Sequence, residues 1–240
     1  MNTFNNFNTF EKQIIDFILE HKVLSISENA FTLASGKKSH IYVNWRQVSN
    51  NFLLFDKLLH MILKFIDLNS IECDTFYGVP EGATKIALFV QYFYLQSRLQ
   101  ATPQNTEAVL AMGRAVAKSH GDIGDRYFIG QPKGNVVIIE DVTTTGESLI
   151  KTIEVVNQLP NANVSACLVL TDRSTASNSN SNSNSNSTSN SISFHDYLKQ
   201  KNILFYSLSN IKSIIKQIDI KHNHNFLMSS ILKKEMNQYV

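Results

Sequence analysis

The sequence has little of several features that identify whole classes of protein. Among 240 residues there are only two cysteines, four prolines and one tryptophan. Cys73 and Cys167 stand far apart among apolar residues, without CxxC or Cys/His ligand spacing, so we predict buried, reduced thiols and no zinc site. Charge is nearly balanced, with 22 Lys and Arg against 20 Asp and Glu. That balance lacks the basic excess of a general nucleic-acid binder, and no nucleic-acid partner is predicted.

Long apolar runs are also lacking. The most apolar stretch, Ile86 to Leu95, is much shorter than the roughly 20 residues that a membrane-spanning helix needs. The start, MNTFNNFNTF, has neither the basic nor the apolar region of a secretory signal. A content of 43% hydrophobic and 18% charged residues, with a mean hydropathy of -0.13, is typical of a soluble globular protein. We therefore predict a cytoplasmic protein with no membrane partner.

One polar repeat is present in excess. From Ala176 to Ile192 the chain reads ASNSNSNSNSNSTSNSI, which has almost no apolar surface to bury and is predicted to be disordered. Apolar periodicity resumes after it, with a predicted helix at Phe194 to Gln200 and a strand at Ile203 to Ser207. We interpret the tract, about residues 176–192, as an insertion in a single domain that spans residues 1–240.

Hydrophobic periodicity predicts an α/β architecture. Helical spacing occurs in five stretches: Phe10 to Leu19, Phe52 to Ile66, Lys85 to Leu99, Ser148 to Leu159 and Phe226 to Met236. Four apolar runs are predicted to be strands of an open parallel sheet: Thr75 to Val79, Ala108 to Met112, Val136 to Ile139 and Val164 to Leu170. In such sheets the ligand binds at the carboxyl ends of the strands.

Two further segments lie between these elements. Ser25 to Asn29 is interpreted as a turn, and the residues around Gly36 as two short strands. Arg114 to Gly134 is polar, without a clear period, and is predicted to be a mobile functional loop or disordered.

The strongest motif is VVIIEDVTTTGES, from Val136 to Ser148. A buried strand runs into two acids, three threonines and a glycine, and a helix is predicted to begin near Ser148. Free N–H groups at that helix start, together with the hydroxyls, would form a pocket for one phosphate. No Lys follows the Gly, so this is not a Walker loop. Because Glu140 and Asp141 can accept bonds from two ribose hydroxyls, the motif indicates a ribose 5-phosphate ligand.

These residues resemble the signature of the type I phosphoribosyltransferases, which bind 5-phosphoribosyl 1-diphosphate (PRPP). FTLASGKKSHIYVN is similar to the substrate segment of the orotate phosphoribosyltransferase family, and RAVAKSHG, Arg114 to Gly121, is similar to its catalytic loop. With Arg173 in LTDR, the resemblance runs from about Phe10 to Ile215. It implies a central, mainly parallel sheet flanked by helices, with a small hood of N- and C-terminal segments over the active site.

The resemblance also implies residue roles. Arg114, Lys118 and His120 would be catalytic residues that bind the diphosphate end of PRPP from a closing loop. Orotate would contact Thr144, Arg173 and Tyr42. The ribose and 5-phosphate would be bound by the strand end and the loop after it, namely Glu140, Asp141, Val142, Thr143, Thr144, Thr145, Gly146, Glu147 and Ser148. The implied reaction is transfer of the 5-phosphoribosyl group to N1 of orotate, giving orotidine 5'-monophosphate and diphosphate in pyrimidine synthesis.

The same resemblance implies Mg²⁺ bound mainly through PRPP and water, with no dedicated protein ligand, and a homodimer with shared active sites. His222 and His224 lack a third ligand and are predicted to be exposed. Ala34 and Ala115 stand where many members of the family have Lys. These two losses leave open a PRPP-binding regulator, or a phosphoribosyltransferase for another nucleobase.

Overall fold

The computed structural model describes residues 2–33, 36–101, 109–174, 192–221 and 226–239. The helices are α1 (Asn2–Glu20), α2 (Arg46–Ser49), α3 (Phe52–Leu68), α4 (Thr84–Ala101), α5 (Ile123–Tyr127), α6 (Glu147–Val156), α7 (Phe194–Gln200), α8 (Ile211–Lys221) and α9 (Phe226–Met236). The strands are β1 (Leu24–Thr32), β2 (Lys38–Val43), β3 (Thr75–Gly78), β4 (Met112–Gly113), β5 (Phe128–Ile129), β6 (Gly134–Thr143), β7 (Ala162–Asp172) and β8 (Leu204–Asn210).

The central sheet is parallel, with strand order β3-β6-β7-β8. Its two middle strands are buried on both faces, which explains why they read as continuous apolar runs. Val137 and Ile139 of β6 face a core formed with α1, α3, α4 and α8. Val136 and Ile138, one residue out of phase, face a second core formed with α6 and α7. The predicted parallel sheet flanked by helices is therefore confirmed.

One predicted strand of that sheet is wrong. Ala108 lies outside the described residues, and of residues 109–112 only Met112 is in a strand, where β4 pairs with β5 in a separate antiparallel ribbon. Leu110 is 51% exposed, so this run does not have the two buried faces of a central strand. The fourth position in the sheet belongs to β8, which begins one residue after the strand start predicted at Ile203.

Two loop interpretations are also corrected. Ser25 to Asn29 is not a turn, because these residues lie within β1, whose pairing with β2 shifts register between Ile26 and Phe31. The bulge accommodates the polar residues that suggested a turn. The segment Arg114 to Gly134 is not structureless, since it contains α5 and β5, and Asp122 caps α5 by accepting a bond from the backbone N–H of Asp125.

The hairpin of β1 and β2 stands apart from the central sheet and is contacted by α9. Trp45, just after β2, anchors it by donating from Nε1 to Thr171 Oγ1 of β7 over 2.9 Å. Cys73 and Cys167 are buried and unpaired, as predicted. Burial raises the pKa of the Cys73 thiol to about 12. In the described residues, no helix combines the length and apolarity needed to cross a membrane.

Candidate active site

The predicted phosphate loop connects β6 to α6 at the carboxyl edge of the sheet. Gly146 is the N-cap of α6 and has φ of +76°, in the left-handed region that favours glycine. A Cβ at this position would lie 2.1 Å from Cδ2 of the buried Phe194 ring. Glycine is therefore required both by the backbone turn and by the close approach of α7, the helix that follows the Ser/Asn tract.

The loop encloses a cavity of about 120 Å³. It is lined by Glu140, Val142, Thr143, Thr144, Thr145, Gly146, Glu147 and Ser148. These are eight of the nine residues predicted to bind the ribose and 5-phosphate, and Asp141 is the ninth. Because the cavity lies at the N-terminus of α6, free backbone N–H groups and the positive end of the helix dipole favour an anion there.

Two buried oxygens at this cavity have no hydrogen-bond partner among the described residues, Oε2 of Glu140 and Oγ1 of Thr143. Glu140 is 5% exposed, and burial, with a smaller contribution from the charge of Asp141, raises the pKa of its carboxyl to about 8. Unpaired buried polar atoms are costly and uncommon in proteins. Their concentration here indicates groups that are satisfied when a hydroxyl-bearing ligand binds.

Asp141 points toward a different loop. Its Oδ1 accepts a bond from the backbone N–H of Val142 over 3.0 Å. A Cβ on Gly82 would lie 2.5 Å from Oδ2, so only glycine lets the loop after β3 approach this carboxyl. Burial raises the pKa of Asp141, and the charge of Arg46 opposes that shift. Glu140 thus lines the cavity, whereas the carboxyl of Asp141 lies against the loop after β3.

Arg173 follows β7 and lies beside the phosphate loop, because its backbone N–H donates to the carbonyl of Thr143 over 2.9 Å. The residue as a whole is only 2% exposed. Nη2 donates to Ser39 Oγ over 2.9 Å and to Tyr239 Oη over 3.0 Å. The structure therefore brings Arg173 and Thr144 to one strand edge and surrounds the guanidinium with residues from both ends of the chain.

The three loop cations are not brought to the cavity. The backbone N–H of Arg114 donates to Tyr127, and that of Lys118 donates to Arg126, so the loop folds back on itself. Lys118 and His120 are exposed. A cleft of about 380 Å³ lies between Arg114 and α6, and Ser148 lines both this cleft and the phosphate cavity. None of the three cations lines the phosphate cavity itself.

The remaining predicted positions differ in their surroundings. Tyr42 is 43% exposed, and its ring centroid lies 5.7 Å from that of Phe31. Ala115 is exposed, whereas Ala34, His222 and His224 lie outside the described residues. Nζ of Lys85, in the first turn of α4, donates to the carbonyl of Ser49 over 3.0 Å. Lys85 thus connects α4 to α2 in this structure.

Sequence reasoning missed Ser39, Glu235 and Tyr239, which surround Arg173. Ser39 lies inside the FTLASGKKSHIYVN segment, in which only Tyr42 is predicted to contact the base. No local pattern connects Glu235 and Tyr239 to a site near residue 173, because the contacts span 66 or more residues. The sequence contains one weak indication that Gly82 belongs to the site, because it is a glycine in the loop after the first strand of the predicted parallel sheet.

A parallel sheet whose strand end carries two acids and a phosphate pocket at a helix N-terminus defines the class of type I phosphoribosyltransferases. No family model matches the sequence. Individual relatives do. The orotate phosphoribosyltransferase of Methanosphaera stadtmanae is 30% identical over 166 residues, which cover 68% of this chain and 83% of the relative. That of Methylococcus capsulatus is 31% identical over 169 residues, covering 68% and 70%.

A crystal structure of the orotate phosphoribosyltransferase of Francisella tularensis has the same fold. It superposes with a TM-score of 0.62 and 19% identity, covering 95% of this chain and 98% of that one. Together with the sequence relatives, this shows that the chain belongs to the orotate phosphoribosyltransferase family.

Proposed function

We propose that this protein transfers the 5-phosphoribosyl group of PRPP to N1 of orotate, giving orotidine 5'-monophosphate and diphosphate. The observation that carries the proposal is the cavity of about 120 Å³ at the start of α6, where Oε2 of Glu140 and Oγ1 of Thr143 are buried without a well-formed hydrogen bond in the described part of the chain. Those oxygens suit the hydroxyls of a ribose whose 5-phosphate lies on the helix N-terminus. Membership of the family supplies the acceptor base.

The base end of the site is assigned to Arg173. A guanidinium can pair with the carboxylate that distinguishes orotate from uracil. Its backbone bond to Thr143, a residue of the cavity wall, supports a base site next to the ribose-phosphate pocket. Thr144, in the cavity wall, would contact the same ligand.

The diphosphate end is assigned to the loop that carries Arg114, Lys118 and His120. As diphosphate leaves, negative charge accumulates on it, and cations on a closing loop stabilise that charge and exclude water. Lys118 and His120 are exposed, and we propose that the loop moves to bring them to the diphosphate. Arg114, at the base of the loop, would change its surroundings least.

Mg²⁺ is proposed to accompany PRPP, held mainly by substrate phosphates and water. The cavity offers carboxylate and hydroxyl oxygens, the hard ligands that this ion prefers, so the residues present suit it. Bound Mg²⁺ would neutralise part of the diphosphate charge.

We further propose a cytoplasmic homodimer in which the loop of one subunit covers the site of its partner. This arrangement gives a reason why none of the three loop cations lines the phosphate cavity of its own chain. Mixing subunits that carry Lys118→Ala with subunits that carry Glu140→Gln tests it directly. Shared sites predict that the mixture regains activity that neither variant has alone, whereas activity that stays absent contradicts sharing.

The reaction itself is tested by following the loss of orotate absorbance with PRPP and Mg²⁺. Turnover with orotate, and none with adenine or uracil, is the expected result. Calorimetry with PRPP alone separates the alternatives. PRPP binding without turnover of any base would indicate a regulator, and turnover of another base in place of orotate would indicate a different phosphoribosyltransferase.

A further inference from the structure

The segment that follows the last described helix contacts Arg173, the predicted orotate-binding residue. Tyr239, three residues beyond α9, accepts bonds through Oη from Nε of Arg173 over 3.3 Å and from Nη2 over 3.0 Å. Both side chains are buried. A single hydroxyl therefore bridges one edge of the guanidinium and orients its plane.

Ser39 of β2 holds the same guanidinium from another side. Its Oγ accepts from Nη2 of Arg173 and from the backbone N–H of Ile41. It also lies 2.9 Å from Oε2 of Glu235, a residue of α9 with 0% exposure. The hydroxyl proton of Ser39 has two acceptors at 2.9 Å, this carboxylate and the carbonyl of Ile41, while its lone pairs face the two donors. Arg173, Ser39 and Glu235 thus belong to one buried hydrogen-bond network.

Glu235 also makes a second hydrogen bond to β2. Its Oε1 accepts a bond from the backbone N–H of His40, the neighbour of Ser39. The strand held in this way also carries Tyr42, the aromatic residue predicted to contact the base. One buried carboxylate consequently sets the position of the hairpin relative to the end of the central sheet.

We propose that Glu235 and Tyr239 are positioning residues of the nucleobase site, and that they orient Arg173 for the carboxylate of orotate. This inference rests on the proposed function. The bonds on Nε and Nη2 fix the guanidinium, and Nη1, which makes no hydrogen bond in the described part of the chain, is the nitrogen that we assign to the substrate carboxylate. A side chain that is already ordered loses less freedom when the substrate binds, so the affinity for orotate is greater.

The test uses two conservative variants of the full chain, Tyr239→Phe and Glu235→Gln, in steady-state kinetics with each substrate varied. Bonds to charged groups are strong, so the KM for orotate should rise about tenfold or more. The KM for PRPP should stay within about twofold, because the ribose-phosphate cavity is not part of this network. Tyr197→Phe, at a half-buried tyrosine of α7 in the other core, is the matched control and should change neither constant.

A second measurement separates positioning from general stability. In an Arg173→Gln background, Tyr239→Phe should add nothing further to the KM for orotate, because Tyr239 acts through Arg173. Variants that melt at lower temperature with an unchanged KM for orotate would overturn the proposal. A lower KM for orotate would also overturn it, since that result identifies the C-terminal segment as a cover over Arg173.

Binding of orotate, measured by calorimetry in the presence of the product diphosphate, distinguishes this inference from the proposed function. If wild-type protein binds orotate without turning it over, the function is refuted, and weaker binding by Tyr239→Phe still supports the positioning role. If wild-type protein neither binds nor converts orotate, both are overturned.

Discussion

Glu140 provides the sharpest prediction, because its buried carboxyl has an oxygen without a partner. The carboxyl has a pKa of about 8 in the folded protein against an ordinary value of 4.5. Between these values the folded protein holds a proton that the unfolded chain has released. Stability therefore falls as the pH rises through this window, and the loss is complete above the pKa of the folded state. At about 1.4 kcal/mol for each pH unit, ionisation of the buried group costs a few kcal/mol, at most about 5.

Replacement by glutamine removes the charge and keeps the shape. We expect Glu140→Gln to have a higher free energy of unfolding than wild type at about pH 9, by a few kcal/mol, and a much smaller advantage at about pH 5. PRPP affinity should fall at the same time, because the amide replaces the carboxylate that we propose binds the ribose. Denaturant titrations of the protein without ligand at both pH values, and calorimetry with PRPP, measure the two effects.

Glu154→Gln is the matched control, since this carboxylate is exposed on α6 a short distance from the cavity. It should leave the difference between the two pH values as in wild type. The reasoning is refuted if Glu140→Gln is no more stable than wild type at the higher pH, because the buried carboxylate would then be satisfied or well solvated.

Three other changes follow from the geometry of the site. Gly146→Ala should destabilise the protein by about 2–4 kcal/mol in denaturant titrations and weaken PRPP binding, because its Cβ would meet the ring of Phe194 and φ is positive. Lys118→Ala should lower kcat about a hundredfold or more with an unchanged melting temperature, because the side chain is exposed. Deleting most of Ser177 to Asn190 should change the free energy of unfolding by less than about 1 kcal/mol and leave kcat nearly unchanged.

Each of these three predictions has a control or an outcome that would contradict it. Gly36→Ala has the same positive φ but no atom within 4 Å of the added Cβ, so it should cost only about 1 kcal/mol. Equal losses at both glycines would exclude the clash as the cause. Lys199→Ala, at an exposed lysine of α7, should keep full activity, and a Lys118 variant that matches it would remove Lys118 from the mechanism.

The tract deletion is motivated by the residues on either side of it. Ser174 Oγ lies 2.9 Å from Nε2 of His195, so the chain before and after residues 175–191 meets at one point. A short connection can therefore close the same gap. A large loss of activity on shortening would mean that the tract helps to order Arg173.

The features of this protein that can be predicted from sequence are those formed by residues that are adjacent along the chain. The strand, acids, glycine turn and helix from Val136 to Ser148 are contiguous, so one pattern predicts both the elements and the cavity between them. Burial on both faces makes β6 and β7 unmistakable as apolar runs. The run ending at Met112 has similar composition, yet its place is decided by what packs against it.

The contacts of Arg173 show what only the tertiary structure decides. Its position at the end of β7 follows from the sequence, and its role was inferred from the family resemblance. Its partners Ser39 and Tyr239 lie 134 and 66 residues away, and no periodicity connects them. They meet because α9 packs on the β1–β2 hairpin, whose own position depends on the Trp45 bond to Thr171. The candidate phosphate pocket can be predicted because its residues are adjacent in the chain, whereas the orientation of Arg173 depends on long-range packing of segments near both ends of the chain.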